Sequence, residues 1–347
     1  MALTLTSLPQ IAAFGFDDII DVRSPAEYAE DHIPGAINLP VLNNAERAEV
    51  GLIYKQDSPF RARKVGAALV AANAARHLQG ALADRPGGWQ PLVYCWRGGQ
   101  RSGSFAQILS QIGWRVELVA GGYKAYRSLV VEALYGRDFP CTVVLLDGNT
   151  GSAKTDILHR LAARGVQVLD LEGLAHHRGS LFGAMPGGQP SQKAFETALA
   201  GAMAALDPAR MVVVEAESSK VGNCRLPPGL WKAMAAARRL EVVVPVGARA
   251  RYLVTAYADM VEDPVRLSSV IDLLRPSHSA PQIAAWQAMA AARAFEDLAA
   301  GLMAQHYDPR YNRHRARLEH GVEAFEVEDL GEAALEGLAD RVERAVG

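Results

Sequence analysis

Cysteine is scarce in this chain. There are three among 347 residues, Cys95, Cys141 and Cys224, an odd number with no paired spacing. That excludes a disulfide framework and suits a reducing compartment, so a cytoplasmic protein is expected. No Cys/His cluster has zinc-ligand spacing, and neither zinc nor haem is expected. No apolar run approaches the ~18 residues of a membrane span. The start, Met1-Ala2-Leu3-Thr4, lacks the basic region and apolar stretch of a signal peptide, so none is read there, and without an apolar span no membrane partner is expected. An excess of one charge is also missing. The net charge is −2, so any nucleic-acid contact must come from a local patch. The candidate nucleic-acid contacts are Arg310, Arg313, Arg315 and Arg317, interleaved with Tyr311; a solvated helix face is the alternative. A second basic candidate is Lys55 with Arg61, Arg63 and Lys64. Apolar residues are plentiful: half the chain is hydrophobic, enough for two domains with separate cores.

One cysteine stands in a chemically loaded setting. The apolar run Leu92-Val93-Tyr94 leads into Cys95-Trp96-Arg97-Gly98-Gly99-Gln100-Arg101-Ser102, and a helix-like stretch follows. Successive backbone N–H groups in such a loop converge into an anion-binding concavity. A thiolate there, near arginines and a helix N-terminus, should have a depressed pKa and be nucleophilic. Cys95, Arg97 and Arg101 are therefore the candidate catalytic residues, with Trp96, Gly98, Gly99 and Gln100 completing the anion loop. Cys141 and Cys224 are expected to be buried bystanders.

A second anion loop follows the apolar run Thr142-Val143-Val144-Leu145-Leu146. Gly148-Asn149-Thr150-Gly151-Ser152-Ala153-Lys154-Thr155 nearly matches the phosphate-binding pattern G-x-x-x-x-G-K-[ST], with Ala153 in place of the second glycine. These eight residues are the candidate diphosphate site. If position 153 needs a positive φ, alanine costs ~1–2 kcal/mol there. Thr155, with Glu215 at the end of the apolar run Met211–Val214 and Asp170 after Val166–Leu169, is a candidate magnesium set.

Apolar strands alternate with helices along the chain, which predicts α/β architecture with mostly parallel sheets. Ser24, Pro25 and Glu27 read as the N-cap, N1 and N3 of a helix. The expected domains are 1–135 and 136–347, the second mainly helical after Ala248 and closing on a helix from Gly331 to Val346.

Residues 17–127 resemble a rhodanese domain. Asp21-Val22-Arg23, Glu27-Tyr28, His32-Ile33-Pro34-Gly35-Ala36, the Cys95 loop and Gly121-Gly122 carry that resemblance. With a P-loop domain on the same chain, the whole resembles the bacterial tRNA 2-selenouridine synthase family. Asp170-Leu171-Glu172-Gly173-Leu174-Ala175, His177-Arg178-Gly179-Ser180, Gln189-Pro190-Ser191-Gln192 and Glu215-Ala216-Glu217-Ser218 strengthen the match. The resemblance implies a rhodanese-like domain followed by a P-loop NTPase-like α/β domain with added helices. It implies a two-step reaction on tRNA carrying 2-thiouridine at the wobble position: S-geranylation with geranyl diphosphate, then selenation from selenophosphate, with Cys95 carrying selenium. Lys154 and Thr155 would bind the diphosphate head with magnesium, and an apolar cleft near Trp286 or Phe182 would take the tail. Five residues separate Cys95 from Arg101, one more than in the usual rhodanese loop.

Three other readings fit parts of the pattern. Cys95-x5-Arg101 also suits a cysteine-loop phosphatase, with Asp21 as its acid. A P-loop kinase with an inactive rhodanese module, or a plain sulfurtransferase, would use one loop each.

Overall fold

The computed structural model describes residues 2–315 and 322–346. The chain forms two compact units: Met1–Arg137 with Pro190–Ala205, and Asp138–Gln189 with Leu206–Gly347.

The first unit is built on five strands: β1 (Ala2–Leu3), β2 (Asp18–Asp21), β3 (Ala36–Asn38), β4 (Pro91–Tyr94) and β5 (Glu117–Val119). Their order is β1-β5-β4-β2-β3, every pair parallel. Parallel sheets are covered on both faces, and β4 is accordingly buried along its whole length. Ile20, Val93, Phe105, Leu109 and Trp89 meet in the core. The helix Pro25–Glu30 begins as its sequence predicts, with the Glu27 carboxylate accepting from the Ser24 backbone N–H and hydroxyl, each at 3.1 Å. Beneath it Asp21 and Arg23 form a fully buried pair, and the same guanidinium donates to the Asp31 carbonyl at 2.6 Å.

The helix Gln192–Ala204 belongs to this unit, a difference from the expected division at 135/136. Polar anchors explain it. Thr197 donates to the buried Asp31 carboxylate at 2.8 Å, beside Tyr123 at 2.6 Å, while Glu196 accepts from Tyr135 at 2.8 Å and pairs with Arg127.

The second unit has β6 (Val143–Gly148), β7 (Val168–Leu169), β8 (Val212–Glu215), a short hairpin of β9 (Lys220–Val221) and β10 (Cys224–Arg225), β11 (Arg238–Val243) and β12 (Val322–Glu326). The main sheet runs β12-β11-β6-β8-β7, again all parallel. Central β6 is wholly buried and delivers the glycine-rich loop at its carboxyl end, where open α/β sheets place ligands. Helices between 246 and 315 enclose a separate apolar cluster of Met260, Leu267, Ile271, Trp286, Leu298 and Leu302, joined by Phe182. The last helix, Glu332–Val346, packs Leu335, Leu338 and Val342 into the sheet's core.

Candidate active sites

Cys95 follows β4 directly, and its loop is held from behind. The backbone N–H groups of Tyr123 and Lys124 donate to the carbonyls of Cys95 and Trp96 at 2.8 and 2.9 Å. This approach leaves no room for side chains. A Cβ on Gly122 would lie 2.2 Å from the Cys95 carbonyl oxygen, and one on Gly98 would lie 2.6 Å from that of Val119; both residues have positive φ. The glycines therefore let a helix start grip the loop's carbonyls.

The Cys95 thiol is buried, with 4% of its surface exposed. Burial alone would raise its pKa. The Ser102 hydroxyl, 3.2 Å from Sγ, the amides of Ser102 and Gly99, and the Arg101 charge outweigh burial and hold the pKa below that of an ordinary thiol. Arg101 is itself positioned by Glu27, which accepts from it at 2.7 and 3.3 Å. The helix-capping glutamate thus also orients the arginine of the reactive loop. Arg97 is exposed, Trp96 packs on the Tyr123 ring at 5.3 Å, and Gln100 opens the helix Gln100–Ile112. Ser102 stood in the loop string but was not assigned a role. Its signal is a hydroxyl one helical turn inside the helix that points back at the thiol. Asp21 is spent on Arg23 inside the core, so it is not the acid that a phosphatase would need. Burial pushes the thiols of Cys141 and Cys224 up.

In the second unit the loop from Gly148 to Thr155 leads into the helix Lys154–Ala163. Ala153 takes φ 57° and ψ 29°, the left-handed region that the motif's second glycine would favour. Asn149 and Gly151 shape the turn: Ser152 N–H donates to the Asn149 carbonyl at 3.1 Å, and Gly151 has positive φ. Arg249 fastens the loop from outside, donating to the Thr150 carbonyl at 3.0 Å while forming a two-pronged pair with Asp308. Lys154 Nζ donates to the Gly148 carbonyl at 2.9 Å. Burial disfavours its charge, but Tyr311 and the carboxylates of Glu215, Glu172 and Glu217 raise its pKa, so it stays an ammonium.

Those three glutamates bring ligand oxygens within 4.8 Å of one another. Strand register explains the place of Glu215: it ends β8 opposite Leu146 of β6, beside the loop. Both its oxygens are buried, with no hydrogen-bond partner among the described residues. Burial, then the charge of Glu172, pushes its pKa up to about 8. Glu172 and Glu217 are shifted upward as well, each first by burial, and Thr155 donates to Glu172 at 3.2 Å. An all-oxygen set with orphaned carboxylate oxygens fits a hard divalent cation. Asp170, expected in this set, instead caps the helix Leu171–Ala175 through the Gly173 N–H at 2.7 Å and pairs with His159 at 2.9 Å. Glu172 and Glu217 were missed, although both stood in strings already singled out. Alternation along Glu215-Ala216-Glu217 is the signal for Glu217.

Of the expected tRNA contacts, Arg310 packs on His306 and Arg313 bonds the Pro309 carbonyl at 3.0 Å, both exposed. Arg315 ends the helix Asp308–Arg315, and Arg317 lies outside the described residues.

The two loops define a class: a rhodanese-like unit joined to a P-loop unit. Residues 6–129 match the rhodanese-like domain family, and residues 141–269 match the family described as tRNA 2-selenouridine synthase AAA domain. The chain is 40% identical over 256 residues to the tRNA 2-selenouridine synthase of Aeromonas salmonicida, covering 72% of this chain and 67% of that one. It is 39% identical over 249 residues to that of Hahella chejuensis, covering 67% and 62%. The chain belongs to the tRNA 2-selenouridine synthase family. The match spans about three fifths to two thirds of these relatives' length, 67% and 62% for the two named. Among solved structures, the N-terminal domain of a putative ATP/GTP binding protein from Clostridium difficile is 39% identical, covers 38% of this chain and all of that one, and has a TM-score of 0.33.

Proposed function

We propose that the chain converts wobble 2-thiouridine in tRNA to 2-selenouridine in two steps. Geranyl diphosphate first alkylates the 2-thio sulfur, and selenium from selenophosphate then replaces the S-geranyl group through Cys95. One observation carries the first step. The P-loop lines a cavity of about 420 Å³ whose walls include Lys154, Glu172 and Glu217. A second cavity of about 80 Å³ is walled by Phe182, Met260, Leu267, Phe295, Leu298 and Leu302. The two share Thr150, Ser180, Leu253 and Tyr257. An anion cradle that shares lining residues with an apolar wall suits a diphosphate on a hydrocarbon better than a nucleoside, whose base would leave polar atoms unpaired there. Phe182 lines this wall, whereas Trp286 is fully buried in the cluster behind it.

In the first step sulfur bonds to C1 of the geranyl group as the C1–O bond breaks and diphosphate leaves with the electron pair. The loop amides, the N-terminus of the helix Lys154–Ala163 and the Lys154 ammonium meet the charge that develops on the leaving group. Glu215, Glu172, Glu217 and Thr155 would hold magnesium, which when bound supplies further positive charge to the diphosphate. Alkylation leaves C2 of the base electrophilic and makes a neutral thiol the leaving species. In the second step selenophosphate attacks C2 through its selenium: the C2–Se bond forms, the C2–S bond breaks and geranylthiol departs with a proton from water, and hydrolysis of the Se–P bond releases phosphate. The depressed pKa of Cys95, against raised values for the other two cysteines, supports it as the reactive thiol of this step, with selenium kept at the selenide level throughout.

The test is nucleoside mass spectrometry on tRNA treated with Lys154→Ala protein. This variant should lose geranylation yet still selenate tRNA that is already geranylated. Equal loss of both steps would count against the assignment of the P-loop to the first.

A further inference from the structure

Beside the Cys95 loop lies a groove that the chemistry above does not use. It runs between the helices Asn44–Gln56 and Pro59–Gln79 and has a volume of about 500 Å³. Helical spacing builds it. Arg47, Val50, Gly51, Tyr54 and Lys55 share one face of the first helix, and Ala62, Arg63, Gly66 and Val70 share one face of the second. The floor is small and apolar. The rim carries four cations: Arg47, Lys55, Arg63 and Arg101. Glu27 is the one carboxylate paired with them among the described residues, at 3.8 Å from Arg47 and 2.7 Å from Arg101. Lys55 and Arg63 are exposed and have no ion pair among the described residues, whereas Arg61 is paired with Asp57. Tyr54 is 58% exposed.

The geometry points to a nucleotide-binding groove for single-stranded RNA, in which one residue of the tRNA flanking the modified base lays its base on the apolar floor and its phosphates on the cationic rim. The volume lies within the ~300–1,000 Å³ range of pockets that take small organic groups. Apolar floor, exposed aromatic and cationic rim are the elements by which proteins hold single strands. Arg101 joins the groove to the reactive sulfur, since it lines the first and its charge stabilises the thiolate of the second. RNA seated here is therefore anchored next to Cys95. This inference rests on tRNA being the substrate, and on nothing about geranyl diphosphate.

Binding of 2-thiouridine tRNA is measured against salt concentration for the full-length protein, for Lys55→Glu/Arg63→Glu and for Tyr54→Ala. The double variant should bind at least tenfold more weakly, with the log–log salt slope shallower by about 1.4, at roughly 0.7 for each of two phosphate contacts on a single strand. Tyr54→Ala should lose roughly tenfold from one stacked base. Alkylation of Cys95 by iodoacetamide, and its protection by thiophosphate, should not change, which shows the fold and the anion loop intact. Lost protection by thiophosphate with unchanged tRNA affinity would overturn the proposal and assign the groove to a small anion. Unchanged affinity and slope in both variants would overturn it alone. Failure of the unmodified protein to bind tRNA would overturn it together with the tRNA reading.

Discussion

Ser102→Ala takes one hydrogen-bond donor from the Cys95 thiolate and leaves the loop backbone as it is. Ser102 is fully buried and its hydroxyl lies 3.2 Å from Sγ, so water does not take the vacated place. A hydrogen bond to a charged acceptor contributes about 1.5–3 kcal/mol. At about 1.4 kcal/mol per pKa unit, the Cys95 pKa should rise by about 1–2 units. Arg101→Gln should raise it less, because that guanidinium shares its charge with Glu27 at 2.7 Å. The sign is the same for both, since each change removes a group that favours the anion. The assay is the rate of Cys95 alkylation against pH, read by peptide mass spectrometry in a Cys141→Ser/Cys224→Ser background. The unmodified thiol should give a midpoint below the ~8.5 of a free cysteine. At neutral pH the Ser102→Ala protein should react about tenfold more slowly, as its thiolate fraction falls. An unchanged midpoint, with full alkylation still reached at high pH, would refute the claim that this hydroxyl tunes the sulfur.

Two further outcomes are expected. Asp21→Ala leaves Arg23 buried and uncompensated, and should cost about 3–5 kcal/mol in urea unfolding; a loss under about 1 kcal/mol would mean that water reaches the guanidinium. Magnesium should raise the melting temperature of the unmodified protein, by about 2.7 kcal/mol of stabilisation at a hundredfold excess over its dissociation constant. Glu215→Gln should abolish most of that gain, and equal gains in both proteins would place the ion elsewhere.

Much of this site was legible because its residues are close in sequence. Cys95 to Ser102 and Gly148 to Thr155 are short strings in which strand, loop and helix start follow one another. Local steric and hydrogen-bonding rules act over that distance, which is why the cap at Ser24–Glu27 was also readable. The carboxylate set was only partly legible. Glu215 could be read as the residue ending an apolar strand, but the choice of Glu172 and Glu217 over Asp170 depends on which oxygens a helix cap and His159 had already taken. The long helix Asn44–Gln56, with its weak amphipathic pattern, was not read at all. It forms because a capping box at Asn43 and Glu46 starts it and its neighbour covers it.

The sequence by itself determined the two anion loops, the parallel α/β layout and the family, because each is encoded in contiguous residues and in the alternation of buried strands with helices. The tertiary structure decided what neighbours those loops. Register set Glu215 beside the P-loop. Packing among helices more than a hundred residues downstream of Thr150 raised an apolar wall against it. A helix from the second half of the chain joined the first unit through Asp31, Tyr135 and Arg127. Each of these depends on long-range burial of polar and apolar surface, which no local pattern carries.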